Sequence, residues 1–516
     1  MNEKHLSQRF FEGVFFNFIG SNIVLILNTF SSFLIIYILS ISDYGYYQVG
    51  FNLIFFFNLI ASLGISGGVL RFIPEINIKN KFDIKNKFIK QSLLIGIISR
   101  LLIYFTCILF SLTIFSNIFP ILFFISIIII PSFFQEFFLA YLKAHFKQLI
   151  VNIIQSIYSI IYFLLIIISV FFFQDLFFLI GIYILAYIID VIMLVGYYIK
   201  SSKKNINFIK VEGNENNFKN EDQEISLKKI WYYNIFLYII NVLNFILIWR
   251  IDNILVLVFG ATIVQSALIS FTNSFNQIVY ASLKKPLQDI TQITGTEFLT
   301  KDINNSNLKD NSKYDEFFKK VFKATTIIFL PIFIIAIFLI KYFIILILPK
   351  YIESVIACQL AIFFMIFYSW GDIIVNILFI IKKLGIVLFS HIIIILKIAL
   401  IIIFIPIFGP VNGMIISTGI TILLTNIFMF ILTKRYVKIE FPKIFILKMT
   451  LIGSLMSIQL FLVDLFQDLI LTCIIAIISV GIYLILLRIL KVLDEEDKKI
   501  VKNLNFPIIK YVIKII

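Results

Sequence analysis

Long apolar segments alternate with short polar connectors along most of the chain. Each segment is bounded by charged residues, Pro, Gly or Asn, and each is long enough to cross a hydrocarbon core about 30 Å thick, which requires about 20 helical residues. We predict helices at 14–39, 46–70, 91–115, 119–140, 150–173, 177–199, 230–258, 264–283, 323–347, 353–381, 384–407, 411–433, 444–465 and 469–489.

The composition agrees with this pattern. Of the 516 residues, 61% are hydrophobic and 14% are charged, and the mean hydropathy is +1.03. Soluble domains have about 45–50% apolar and about 25% charged residues. The sequence therefore predicts an all-α polytopic membrane protein with about fourteen transmembrane helices.

The net charge of +15 is explained by topology and does not indicate a nucleic-acid partner. Lys and Arg remain cytoplasmic because their translocation is costly. Basic residues accumulate in every second connector; Lys350 is the one basic residue in a predicted outer connector, and Arg100, Arg250, Lys341 and Lys397 lie inside apolar segments. We predict a multi-pass protein of the cytoplasmic cell membrane with both termini inside.

A polar, Asn-rich linker divides the helices into six before it and eight after it. We predict a six-helix lobe at 1–199, a cytoplasmic linker at 200–229, a second six-helix lobe at 230–435, two additional helices within 436–490 and a cytoplasmic tail at 491–516. The two groups of six share landmarks, such as a basic residue and a Pro after the second helix of each group. This weak repeat is typical of transporters.

Six charged residues are predicted deep inside helices, where such side chains are costly and mark a cavity or a partner. They are Arg100, Asp190, Arg250, Asp252, Asp372 and Lys397. Glu136 and Lys341 are expected near helix ends, from which they reach the interface. For the deep residues, a structural ion pair between two helices is the alternative to a functional site.

Polar residues also form lines along three predicted helices. Helix one carries Asn17 and Asn28, helix seven carries Asn241 and Asp252, and helix eight carries Asn273, Gln277, Tyr280 and Lys284. These lines favour a water-filled cavity, and the alternative is hydrogen bonding between helices. The histidines are isolated and no catalytic or nucleotide-binding motif is present, so we expect a transporter without a cofactor or metal rather than an enzyme.

Two segments resemble a known family. Residues 40–47, Ser-Ile-Ser-Asp-Tyr-Gly-Tyr-Tyr, followed by Leu63-Gly64-Ile65 and Arg71-Phe72-Ile73-Pro74, are similar to the opening of the polysaccharide flippases. Residues 405–413 resemble the turn into the twelfth helix of those proteins. The family belongs to the multidrug/oligosaccharidyl-lipid/polysaccharide exporter superfamily, and the resemblance extends over essentially the whole chain.

The resemblance implies two six-helix lobes around a central cavity, plus two C-terminal helices. It implies movement of a polyprenyl-(pyro)phosphate-linked oligosaccharide, as in O-antigen assembly, to the outer leaflet, with membrane lipids and glycan-assembly enzymes as partners. The substrate-binding candidates are Arg71, Lys284, Arg250, Lys397, Arg100, Asn17, Asn28, Asn241, Asn273, Gln277 and Tyr280. The cations would attract the phosphates, with Arg71 and Lys284 at the cytoplasmic mouth.

Two other functions stay open. A cation-coupled multidrug exporter of the same superfamily would use Asp252, Asp372 or Asp190 as its coupling-ion site. A membrane glycan polymerase or glycosyltransferase generally needs an outer loop or a soluble domain, and the predicted outer connectors here are short. The sequence favours the flippase.

Overall fold

The structure, a computed structural model, describes residues 23–78, 81–113, 119–145, 147–204, 226–247, 251–277, 312–380 and 383–492. Within these ranges the chain is helical and contains no strand. Nine helices of the described part are long and apolar enough to span a membrane, or ten if one bent pair forms a single span. The protein is therefore an all-α polytopic membrane protein, as predicted. The total of fourteen stays a prediction, because several predicted helices extend beyond the described ranges.

The described helices before the predicted second lobe are eight in number. They are α1 (Ile23–Ile38), α2 (Ile41–Ser62), α3 (Ile65–Ile78), α4 (Phe82–Thr113), α5 (Phe119–Ser126), α6 (Ile129–Ala144), α7 (Gln148–Phe172) and α8 (Leu176–Lys204). The predicted helix 46–70 is wrong as one continuous helix, because the chain breaks between α2 and α3. The predicted helix 119–140 contains a turn between α5 and α6, but Phe119–Ala144 still forms one candidate span.

The later helices follow the predicted segments with two exceptions: the helix predicted at 323–347 begins at Ser312, and a 3₁₀ turn, His391–Ile393, interrupts the predicted helix 384–407. They are α9 (Leu227–Leu247), α10 (Asp252–Val258), α11 (263–277), α12 (Ser312–Ile347), α13 (Val355–Ile380), α14 (Leu384–Ser390), α15 (Ile394–Thr433), α16 (Lys443–Asp464) and α17 (Leu469–Ile489). A 3₁₀ turn, Pro349–Ser354, precedes α13. The bounds of α13, α16 and α17 agree with prediction within two residues.

Helix α15 contains a reversal at Gly409, whose φ of +78° lies in the left-handed region that favours glycine. A Cβ on Gly413 would lie 2.5 Å from the backbone oxygen of Phe404. In a straight helix these two residues would be about 13 Å apart. The chain therefore doubles back, and α15 consists of two antiparallel limbs at the positions where the sequence predicts two helices.

The chain divides into two compact units, of which the first comprises Met1–Ile246 and Asn253–Ala267 and the second comprises Leu247–Asp252 and Leu268–Ile516. In the first, Phe72, Phe88, Phe133, Phe137 and Ile230 form part of a core between α3, α4, α6 and α9. The predicted six-helix lobes rest on the weak repeat and stay a prediction.

The core of the second unit lies between α12, α13, α16 and α17. Phe318, Phe322, Ile377, Met449 and Tyr483 are among its buried residues. Many other large apolar side chains are exposed, such as Phe105 on α4, which is 61% exposed. Such exposure fits a chain whose helices face lipid instead of water.

Candidate functional site

The second unit contains a buried ion pair between two of the predicted site residues. Lys397 Nζ lies 2.6 Å from Asp252 Oδ1, and Thr418 Oγ1 donates a 2.8 Å hydrogen bond to Asp252 Oδ2. The side chains of Asp252 and Lys397 are 0% and 1% exposed. The pair compensates both charges inside the apolar interior.

The reversal in α15 explains why these three residues meet. Lys397 lies on the first limb and Thr418 lies on the second, each about one and a half to two turns from the point where Phe404 lies beside Gly413. Because the limbs are antiparallel, both residues reach the same level beside the start of α10. The predicted substrate residue Lys397 therefore contacts substrate only if its pair with Asp252 opens.

Arg100 is the buried centre of a second cluster, in the first unit, in which the side chain of Glu136 is 42% exposed. Its Nη2 donates to Glu136 Oε2 at 2.9 Å, and its Nη1 donates to the backbone oxygen and to Oδ1 of Asn58 at 2.5 and 2.6 Å. Ser132 Oγ also donates to Asn58 Oδ1, at 2.9 Å. Arg100 is 0% exposed, so in this conformation it binds the protein itself.

The Arg100 cluster corrects one expectation from the sequence. Glu136 was expected to reach the interface from a helix end, but it lies within α6 and pairs with Arg100. The polar character of Glu136 and Asn58 inside apolar segments was a usable signal that they need partners. Which partner each would find could not be read from the sequence.

Asp190 forms a third buried cluster, which also belongs to the first unit. Gln155 Nε2 donates to its two carboxylate oxygens at 3.1 and 3.0 Å, and Gln135 Nε2 donates to Oδ2. The hydroxyl of Tyr187 donates to Gln135 Oε1. Asp190 is 0% exposed, and among the described residues its hydrogen-bonding partners are neutral amides. Among the described residues, no countercharge like that of Asp252 is bonded to Asp190.

Tyrosine side chains of α7 and α8 pack beside Tyr187, whose hydroxyl group belongs to the Asp190 cluster. The rings of Tyr183 and Tyr187 lie 5.8 Å apart, those of Tyr162 and Tyr183 lie 5.7 Å apart, and those of Tyr158 and Tyr187 lie 6.5 Å apart. Sequence reasoning missed these tyrosines and both glutamines. The spacing of Gln155 and the tyrosines along α7 and α8 would have indicated a shared face, whereas Gln135 lies on α6.

The sequence predicts Arg71 at the cytoplasmic end of the second helix, but α3 continues to Ile78, so Arg71 lies in the middle of α3. It is exposed, and its Cζ lies 4.2 Å from the ring centroid of Tyr233 and 5.4 Å from that of Phe72. A guanidinium at this distance from an aromatic face is stabilised by a cation–π interaction. Arg71 is thus a positioned cation at the surface of the first unit.

The other predicted residues are more dispersed. On α11, Asn273 is buried and Gln277 is half-buried, whereas Asn28 on α1 is half-buried and Asn241 on α9 is exposed. Asp372 is half-buried on α13. Asn17, Arg250, Tyr280 and Lys284 lie outside the described residues.

Proteins of similar structure are known, although their sequences differ from this one. No protein-family model and no curated protein matches the sequence. A structure entitled lipid II flippase MurJ, inward closed conformation, aligns over 92% of this chain and 98% of its own, with a TM-score of 0.67 and 17% identity. This chain has the fold of that transporter.

Multidrug transporters share the fold. An inward-facing transporter of the MATE family, of the MOP superfamily, aligns over 80% of this chain and 95% of its own (TM-score 0.58, 11% identity). The MATE multidrug transporter DinF-BH aligns over 83% of this chain and 95% of its own (TM-score 0.56, 14% identity). The likeness establishes the fold that these transporters share, and the substrate must be argued from the residues.

Proposed function

We propose that the protein moves a polyprenyl-(pyro)phosphate-linked oligosaccharide from the cytoplasmic to the outer leaflet of the cell membrane. The observation that carries this proposal is Arg71, an exposed guanidinium in the middle of α3 that lies over the ring of Tyr233. A headgroup with phosphates and sugars cannot cross hydrocarbon unaided, whereas its polyprenyl tail can remain in lipid. The fold shared with a lipid II flippase supports this substrate class.

Arg71 fits the first encounter with such a headgroup. The guanidinium can donate two parallel hydrogen bonds to a phosphate, and the ring of Tyr233 limits its positions. Lys284, at the predicted cytoplasmic end of helix eight, would supply another cation. As the substrate moves inward, Lys397 and Arg250 would follow, with Asp252 balancing the charge of Lys397 when the site is empty.

The test is transport of a labelled lipid-linked oligosaccharide in reconstituted vesicles. We expect Arg71→Gln and Lys284→Gln each to reduce transport and the double variant to transport little, because several cations act together on the phosphates. Lys90→Gln is the matched control, since Lys90 is an exposed cation near the start of α4. Parental transport by the double variant would remove both residues from the site.

A cation-coupled multidrug exporter is the second candidate, and the Asp190 cluster favours it. A buried carboxylate with neutral partners requires a proton or a small cation for charge balance. MATE transporters also share the fold. The same vesicles separate the candidates: transport of a cationic dye without transport of lipid-linked oligosaccharide would establish the exporter.

A further inference from the structure

The break between α2 and α3 is held in an unusual backbone conformation. Leu63 has a φ of +47° and Gly64 has a φ of +69°, both in the left-handed region, and the two helices are bent by 46°. A non-glycine residue rarely adopts this conformation unless its surroundings hold it there. The neighbours of this break therefore determine the direction in which α3 leaves α2.

Helix α4 supplies hydrogen-bond donors to the end of α2. The last carbonyl groups of a helix have no amide partner within it, and the helix dipole places partial negative charge there. Ser99 Oγ donates to the backbone oxygen of Ala61 at 2.8 Å, and Arg100 Nη1 donates to that of Asn58 at 2.5 Å. Ser99 thus caps the end of α2, and the buried guanidinium of Arg100 binds the carbonyl group just before the last four and adds positive charge near the negative end of the helix dipole.

The guanidinium of Arg100 is itself fixed from the other side. Glu136 on α6 accepts from Nη2 at 2.9 Å, and the side chain of Asn58 accepts from Nη1 while also receiving the hydroxyl of Ser132. Arg100 is thus bound to α2 and α6 at once. The end of α2 is anchored to two neighbouring helices directly before the break.

Beyond the break, α3 lies against α9 with no space for a side chain. A Cβ on Gly64 would lie 2.1 Å from the backbone oxygen of Asn234, and a Cβ on Gly68 would lie 1.9 Å from Asn234 Oδ1 and 2.7 Å from its Cγ. Asn234 is 0% exposed, yet neither polar atom of its amide has a hydrogen-bond partner among the described residues. An unsatisfied buried amide is unfavourable. Movement of α3 away from α9 would therefore relieve this cost.

We propose that Arg100 is a positioning residue: it anchors α2 before a hinge formed by Leu63 and Gly64, and thereby sets the position of α3 and of Arg71. α3 closes on α9 at the contact between Gly68 and Asn234, and it swings about the hinge when the headgroup draws Arg71 from Tyr233. The meaning of this movement for transport rests on the proposed function. The hinge itself can be measured without substrate.

The measurement is disulfide formation between Gly68→Cys and Asn234→Cys, in a chain whose Cys107, Cys358 and Cys473 are replaced by Ala. The Cβ atoms of the two introduced cysteines would be within about 4 Å of each other, which suits a disulfide. We expect rapid cross-linking under mild oxidant. The rate of cross-linking should fall about tenfold in the Arg100→Gln background. The loss of a hydrogen bond to a charged group shifts the equilibrium between the closed and the open position of α3 by about that factor.

Two further variants make the outcome decisive. Ser99→Ala removes the capping hydrogen bond without removing a charge, so it should slow cross-linking less, and it serves if Arg100→Gln fails to fold. Lys341→Gln, which breaks an ion pair of the second unit, should leave the rate unchanged. Arg100→Gln or Ser99→Ala cross-linking at the parental rate would overturn the proposal.

A transport assay distinguishes failure of this proposal from failure of the proposed function. In vesicles, the oxidised cysteine pair should block transport of lipid-linked oligosaccharide, and reduction should restore it. Arg100→Lys, which keeps a charged donor for Asn58, should recover part of the cross-linking rate. If cross-linking responds as expected but no lipid-linked oligosaccharide is moved by the reduced protein, the hinge stands and the flippase function fails.

Discussion

The two units of this protein each bury a carboxylate completely, but they compensate it in different ways. Asp252 of the second unit accepts hydrogen bonds from the ammonium group of Lys397 and the hydroxyl group of Thr418. Asp190 of the first unit accepts hydrogen bonds from the amide groups of Gln135 and Gln155. One carboxylate thus has its countercharge within the chain, and the other has neutral partners among the described residues.

This difference suggests that the two carboxylates have different roles. A buried charge in a low-dielectric interior is costly unless a counterion or a proton accompanies it. The pair of Asp252 and Lys397 is complete without an external ion. Asp190 has no countercharge among the described residues, so of these two carboxylates it is the one that we expect to respond to an ion gradient.

The largest expected effect is the removal of one partner from the Asp252–Lys397 pair. Lys397→Met leaves a buried carboxylate without its countercharge, which should cost about 3–5 kcal/mol of stability. Asp252→Asn combined with Lys397→Met removes both charges and should recover most of this loss. The midpoint of thermal unfolding in detergent measures both variants.

The double variant also tests the predicted substrate role of Lys397. If Lys397 meets the phosphates during transport, the double variant should fold normally and transport poorly. If it folds and transports like the parent, the pair is a structural link between α10 and α15. A single variant as stable as the parent would contradict the description of the pair as buried and mutually compensating.

A smaller stability effect is expected at Asp190. Asn has the same shape and can still accept hydrogen bonds from Gln135 and Gln155, so Asp190→Asn should cost about 1 kcal/mol or less. Because Asn cannot bind a proton or balance a cation, transport driven by an ion gradient should be lost while downhill exchange of substrate continues. Asp464→Asn is the matched control, since Lys341 pairs with that carboxylate. Gradient-driven transport by Asp190→Asn at the parental rate would remove Asp190 from coupling.

Much of the fold could be predicted because membrane helices are specified locally. The limbs of α15 end near Pro406, Gly409 and Pro410, three residues that disfavour a helix and lie close together in the sequence. The predicted ends of α17 coincide with those in the structure for the same reason, since charged and polar residues flank an apolar run. The accumulation of Lys and Arg in every second connector is a second local signal of the positions of the helices.

The site could be predicted only in part. The sequence indicated that Arg100, Asp190, Asp252 and Lys397 need partners, because each is a charged residue in an apolar segment. It could not show that Lys397 would meet Asp252, 145 residues away. The break at Leu63 and Gly64 was missed because its donors, Ser99 and Arg100, come from another helix. Such partners are determined by tertiary packing.

The smallest expected effect is at the ion pair between α12 and α16. Lys341 Nζ lies 3.3 and 3.4 Å from the two oxygens of Asp464, and Tyr342 donates to the same carboxylate at 2.9 Å. The two charged side chains are 25% and 22% exposed, so their environment screens the interaction more than it does at Asp252. Lys341→Gln should therefore cost about 1 kcal/mol or less. The loss should shrink further at high salt, whereas the loss in Lys397→Met should not. Equal losses in the two variants would mean that burial does not distinguish these pairs, and the contrast between internally compensated and externally compensated carboxylates would lose its physical basis.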